Sequence, residues 1–119
     1  MQKNLHVSVL LDFYGEMLTQ NQRALVGHYY NDDLSLAEIA QHEGITRQGV
    51  RDTIKRAEIQ MFEMEERLGF IKKHREIDSA LEQIRAAMTE IAEFNLRYGC
   101  SREINERAKM VYELTERLN

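Results

Sequence analysis

Apolar residues return every three or four positions along most of this chain, the period of helices that each bury one face. From Leu5 to Leu18, Leu10, Phe13 or Tyr14, and Met17 keep that spacing and predict an opening helix. Thr19 and Gln22 then form a capping-box pair, which satisfies free N–H groups at a helix start. They open a second helix with Leu25, Val26 and Tyr29 or Tyr30 on its core side. Asn31-Asp32-Asp33 is a turn cluster.

The stretch from Ser35 to Arg56, SLAEIAQHEGITRQGVRDTIKR, holds two more start signals and one stop. Ser35 with Glu38 is a second capping box, and Leu34 with Ile39 is spaced for a hydrophobic staple. Leu36, Ile39 and Ala40 make one apolar face. Gly44 stands where a helix ends with φ > 0. Thr46 caps the next helix, with Ile45 and Val50 as a second staple. Two capped helices joined by a glycine turn make a helix-turn-helix. Ala40 is small where the helices cross, and Ile45, Val50 and Ile54 are expected to face inward.

Beyond the motif, Val50, Ile54, Ala57, Met61, Met64, Leu68 and Ile71 alternate spacings of four and three, the 3.5-residue repeat of a coiled-coil seam. This predicts that the motif's second helix runs on as a packing helix, weakened at Gly69. A second seam, Ile77, Leu81, Ile84, Met88 and Ile91, is out of phase with the first. A bend is therefore expected in the interval holding Lys72-Lys73-His74-Arg75, whose cations suit a helix C-terminus. Tyr98-Gly99-Cys100 breaks the second seam, with Cys100 expected as a buried spacer. Ser101 caps a last helix with Ile104, Ala108, Val111, Leu114 and Leu118 inside. Ala57, Met61, Met64, Leu68, Ile77, Leu81, Ile84, Met88 and Ile91 are the candidate oligomerisation residues. They fold on one another or meet the same helices of a second chain. A homodimer is expected, because these stripes exceed what a small head can cover, and two-fold dimers are the commonest oligomers. Methionines at three of these positions leave the pairing loosely specified.

The polar face of the motif's second helix carries the candidate chemistry. Arg47, Arg51 and Lys55 stand four residues apart, with Gln48 and Arg56 beside them. Like charges so placed cost about 0.2–0.5 kcal/mol per pair in an isolated helix. Only Asp52 is near enough to offset them, through Arg56 or Lys55. A polyanion turns that cost into a gain. The candidate nucleic-acid-binding residues are Thr46, Arg47, Gln48, Arg51, Asp52, Lys55 and Arg56. In the usual docking of such motifs the start of this helix enters a major groove. A merely solvated face on a core helix is the competing explanation.

Several segments together carry a resemblance. Leu18-Thr19-Gln20-Asn21-Gln22-Arg23, Tyr29-Tyr30, Asp33 to Ala40, Thr46 to Val50 and Ile54-Lys55-Arg56 resemble the YlxM family. These are small bacterial proteins similar to sigma-factor region 4 and typically encoded beside signal recognition particle components. The resemblance covers residues 5–68 and departs from the family pattern at Glu43 and Gly49. It implies an all-α fold: a sigma region 4-like helix-turn-helix head without a wing, residues 1–68, and a long helical extension, residues 69–119, serving oligomerisation. It also implies a regulatory DNA-binding role linked to the signal recognition particle pathway. The alternative is a helical accessory factor that contacts that particle's RNA or proteins without specific DNA binding.

Charge changes this picture by where it lies. The net charge is −4, yet residues 46–56 hold four cations against one acid, and residues 57–119 ten against thirteen. The acidity sits mostly outside the cation row, and as a whole it repels DNA at long range, so binding alone should be weak and salt-sensitive. The absence of proline and the 30% of charged residues suit exposed helices. One cysteine excludes an internal disulfide and suits a reducing cytoplasm. No apolar run approaches the ~20 residues of a membrane span, so a soluble cytoplasmic protein is expected. Four scattered histidines, with only Glu38 and His42 sharing a helix face, give no metal site, and no phosphate loop or nucleophile motif is present. No catalysis and no cofactor are expected.

Overall fold

The computed structural model describes residues 1–118. Among these are α1 (His6–Tyr14), α2 (Gln20–Tyr30), α3 (Leu36–Glu43), α4 (Arg47–Leu68), α5 (Phe70–Phe94) and α6 (Arg102–Arg117), with a 3-10 turn at Gly15–Met17 and a wide turn at Asn95–Gly99. No strand occurs among the described residues, so the fold is all-α and wingless. The chain divides into two compact units, Met1–Ile71 and the part from Lys72 onward.

The start signals act where the residues place them. Thr19 Oγ1 accepts from the Gln22 N–H at 3.1 Å while Gln22 Oε1 takes the Thr19 N–H at 3.1 Å. Ser35 and Glu38 make the same reciprocal pair. Gly44 closes α3 with φ +69°, a left-handed conformation that costs L side chains about 1–2 kcal/mol. Thr46 then accepts from the Gly49 N–H at 3.0 Å and starts α4.

In the first unit α1, α2 and α3 all pack on α4. Val7, Leu10 and Tyr14 of α1, Leu25 and Val26 of α2, and Ile39 of α3 surround Val50, Ile54, Ala57 and Met61 of α4, all without exposed surface. Leu34 and Met64 lie half-buried against this cluster. Two residues expected inside are not there. Ile45 is 44% exposed and Met17 55% exposed. Ile45 follows the left-handed turn that redirects the chain, and Met17 sits on the short 3-10 turn, where the α-helical spacing no longer holds.

The expected seam also divides. Ala57 and Met61 are spent within this unit's own core and have no surface left for a second chain. Leu68 is exposed. The break comes at Gly69, which ends α4 with φ +64°, and not at Lys72–Arg75, which lies inside α5. Side chains from two other helices fix the residues after it. Tyr14 Oη donates to Glu65 Oε1 at 2.5 Å, and that oxygen also accepts from the Ile71 N–H at 3.0 Å. The Phe70 N–H donates to Tyr14 Oη at 3.2 Å, and the two rings stack 5.9 Å apart. The free N–H groups at the start of α5 thus find acceptors. Burial, then the bond to Glu65, raises the Tyr14 phenol above its ordinary 10.0.

In the second unit α5 and α6 form an antiparallel hairpin. Asn95, buried, anchors its turn by donating to Ser101 O at 2.7 Å and accepting the Ser101 N–H at 2.9 Å. Cys100 takes the left-handed conformation there and is exposed, against the buried position expected; its thiol donates to Leu96 O at 3.2 Å. Arg85 reaches Glu116 across the pair at 3.8 Å. Leu81 and Ala108 are buried between the helices, and Met88 and Val111 half-buried. Ile77, Ile84 and Ile91 of the expected second seam, and Ile104, Leu114 and Leu118 of the last helix, are exposed instead.

Met61→Ala is expected to lower urea stability by about 2–5 kcal/mol, the cost of a core cavity, without changing the sedimentation behaviour of the native chain. A weaker oligomer with unchanged urea stability would return Met61 to an inter-chain seam.

Candidate nucleic-acid interface

The interface begins with how α4 is held. Its buried face, Val50, Ile54, Ala57 and Met61, fixes the helix's rotation about its own axis. Residues on the opposite side must then face solvent. Arg47, Gln48, Arg51 and Arg56 are exposed, and neither Arg47, Arg51 nor Arg56 is in an ion pair among the described residues. Three guanidinium groups therefore keep their donors free.

Asp52 does not offset the cations as expected. Its Oδ1 accepts from Gln48 Nε2 at 3.0 Å, one turn earlier on the same face. Gln48 keeps its carbonyl oxygen and one N–H, the two groups an adenine edge needs. Lys55, whose side chain is 44% exposed, has Glu58 as its nearest acid, at 3.9 Å. Thr46 is exposed and its hydroxyl oxygen is occupied as the cap of α4. The structure thus brings the seven expected residues onto one helix start and its following turns, with Asp52 bound to Gln48.

Glu58 is the group that sequence reasoning passed over. It is buried, and its Oε1 accepts from Tyr30 Oη at 2.5 Å, while Tyr30 Oη accepts the Asn4 N–H at 3.3 Å. Burial, and behind it the bond to Glu58, pushes the Tyr30 phenol far above its ordinary 10.0, so it remains a donor at any physiological pH. One oxygen of this α4 acid is thus held by Tyr30, while the other stays 3.9 Å from Lys55 in the cation row. The hint in the sequence was Glu58's place beside Ala57, at the edge of the apolar stripe.

Glu43 and Gly49 find local roles. Glu43 Oε1 lies 3.6 Å from His28 Nε2, and His28 Nδ1 lies 2.9 Å from Asp32, so Glu43 turns toward α2. Gly49 sits under the cap: a Cβ there would meet Thr46 Oγ1 at 3.1 Å. Among the described residues no three His, Cys, Asp or Glu side chains gather closely enough to hold a metal ion. Among the described residues no helix is long and apolar enough to cross a membrane.

Comparison with known proteins agrees with the helix-turn-helix. The profile of a family described as "Putative helix-turn-helix protein, YlxM / p13 like" matches residues 1–99. The chain belongs to that family. Among its relatives, a UPF0122 protein of Thermoanaerobacter sp. strain X514 is 41% identical over 110 residues, covering 92% of this chain and 94% of that protein. One of Bacillus cereus strain AH187 is 35% identical over 119 residues, covering 100% of this chain and 99% of that protein. A Listeria monocytogenes serotype 4b relative is 41% identical over 88 residues, 74% of this chain and 80% of its own length. The YlxM / p13-like match includes both motif helices, the whole of α5 and the wide turn after it.

The capping box that starts the motif titrates. Hydrogen bonds from the Ser35 N–H and hydroxyl hold the Glu38 carboxyl below its ordinary 4.5. A depressed folded-state pKa adds stability that is present above the unfolded value and lost as pH falls through the folded one. Glu38→Gln keeps an acceptor and removes the titration. The wild-type chain is expected to lose stability more steeply than this variant as pH falls below 4.5, read by chemical denaturation at a series of pH values. Parallel curves would refute the assignment.

Proposed function

We propose that this YlxM / p13-like chain is a cytoplasmic, DNA-binding helix-turn-helix regulator. The observation that carries the reading is that Arg47, Arg51 and Arg56 are exposed on a helix whose rotation the core fixes and are in no ion pair with the protein's own acids among the described residues. The N-terminal turn of α4 enters a major groove, where Arg47 and Gln48 meet base edges. Arg51, Lys55 and Arg56 meet phosphates, and the Thr46 hydroxyl donates to a phosphate while its oxygen caps the helix. A side chain cannot read the deep, narrow major groove of A-form RNA, so the groove-docking geometry favours DNA.

The likeness to sigma-factor region 4 and to proteins encoded beside signal recognition particle components extends the proposal to regulation in that pathway. A second reading, an accessory factor acting through protein contacts or the particle's RNA, draws on the uncovered apolar side chains of α5 and α6.

The test compares the wild-type chain with Arg47→Ala/Arg51→Ala in binding to a random duplex pool and to the particle's RNA across a salt series. Each lost phosphate contact lowers the log–log salt slope by about 0.9, and each lost base contact costs about 1–3 kcal/mol. The double variant, folded as judged by circular dichroism, is expected to lose at least tenfold in duplex affinity. Unchanged duplex binding overturns the DNA reading. Loss confined to the RNA arm transfers it to the accessory factor.

A further inference from the structure

The α5–α6 hairpin leaves more apolar surface outside than inside. From Lys72 onward Leu81 and Ala108 are its buried apolar side chains among the described residues, whereas Ile84 is 39% exposed, Ile91 42% and Phe94 66%. Two helices with so little between them do not make a core; helix layers are stable when each buries its stripe against another layer. The exposed side chains are also ordered. Ile77, Ala80, Ile84, Ala87, Ile91 and Phe94 follow one another at spacings of three and four, with no charge in the row. This row is separate from Leu81, Met88 and Asn95, which turn toward α6.

The flanks of this face carry their own complement. Ile91 and Ile104 line an apolar hollow of about 530 Å³, with Glu90 at its edge. The same two isoleucines line the adjoining groove with Arg107 and Val111. Glu90 and Arg107 therefore stand at the same height of the hairpin. Helical position puts Glu90 on the side of the α5 row away from Leu81, and Arg107 on the side of the α6 row away from Ala108. Neither is in an ion pair among the described residues.

We propose that this face is the interface between two copies of the chain, closed as a four-helix bundle by a two-fold axis parallel to the hairpin. That rotation keeps every residue at its height and sets α5 of one copy against α6 of the other. Ile84 and Ile91 then cover Ile104 and Val111 of the partner subunit. Glu90 meets Arg107 of the partner subunit, and the symmetry makes the pair twice. A two-fold interface must be complementary to itself, and acid on one flank with base on the other at one height meets that condition. The proposal stands independently of what the motif binds.

Sedimentation equilibrium of the full-length chain tests it. The wild-type chain is expected to dimerise, and Ile84→Glu/Ile91→Glu to be monomeric. Glu90→Arg and Arg107→Glu, both at exposed positions where folding is not at stake, are each expected to raise the dissociation constant by about five- to tenfold, since two exposed pairs turn from attraction to repulsion. Together they restore it. A monomeric wild-type chain, a dimer indifferent to the isoleucine variants, or single reversals that the double variant fails to rescue would each overturn the arrangement.

Discussion

Everything in the first unit depends on α4 having two faces with different obligations. Val50, Ile54, Ala57 and Met61 must be covered, and α1, α2 and α3 exist in this arrangement because they cover them. Once that face is held, the helix cannot rotate, and Arg47, Arg51 and Arg56, at other angles around it, stay in solvent. Charge alone does not hold them there: like charges one turn apart disfavour the helix by a few tenths of a kcal/mol per pair. Burying four apolar side chains stabilises by about 1.5–3 kcal/mol for each of the larger ones. The packing term wins comfortably, so a helix can carry a charge row that is unfavourable until a polyanion meets it.

The features legible in the sequence are those whose cause is local. The capping boxes at Thr19 and Ser35, the cap at Thr46, the left-handed Gly44 and the cap at Ser101 all rest on residues within four positions of one another, and each acts as read. Misreadings arise where the cause is distant. A seam of alternating threes and fours says that a face is buried but not against what, so Ala57 and Met61 read as interface although α1 and α2 take them. Leu81 and Ile84 read as one seam although they serve different faces of α5. Glu58 and Glu65 were passed over because the tyrosines that engage them lie 28 and 51 residues earlier. Asp52 read as partner to Arg56 or Lys55, but an amide one turn before it on the same face competes successfully for the carboxylate.

These buried or half-buried acids change the electrostatics as well as the packing. A chain of net charge −4 is a poor electrostatic match for DNA. Glu58 is turned inward to Tyr30, and Glu43 is turned toward His28. Glu43 is thus directed away from the cation row, whereas Glu58 keeps one oxygen 3.9 Å from Lys55. The local field along α4's first three turns is set by four cations against Asp52 and by the positive end of the helix, which attracts anions over the first turn. Local sign and global sign therefore oppose one another, and distance decides which a polyanion feels.

Pairing two chains through the hairpins sharpens that opposition. It doubles the number of recognition helices, and so raises affinity by supplying the second contact at high effective concentration. It doubles the net negative charge as well. The two effects have different ranges: repulsion by the whole molecule is screened beyond about 8 Å at physiological ionic strength, whereas a guanidinium in contact with a phosphate acts inside that distance. At low salt the long-range term slows approach, and at high salt released counterions no longer favour the contacts. On the proposed reading, association of such a dimer with DNA is best served at intermediate salt, and specificity would come from the groups on α4 that act only once the helix is already in the groove.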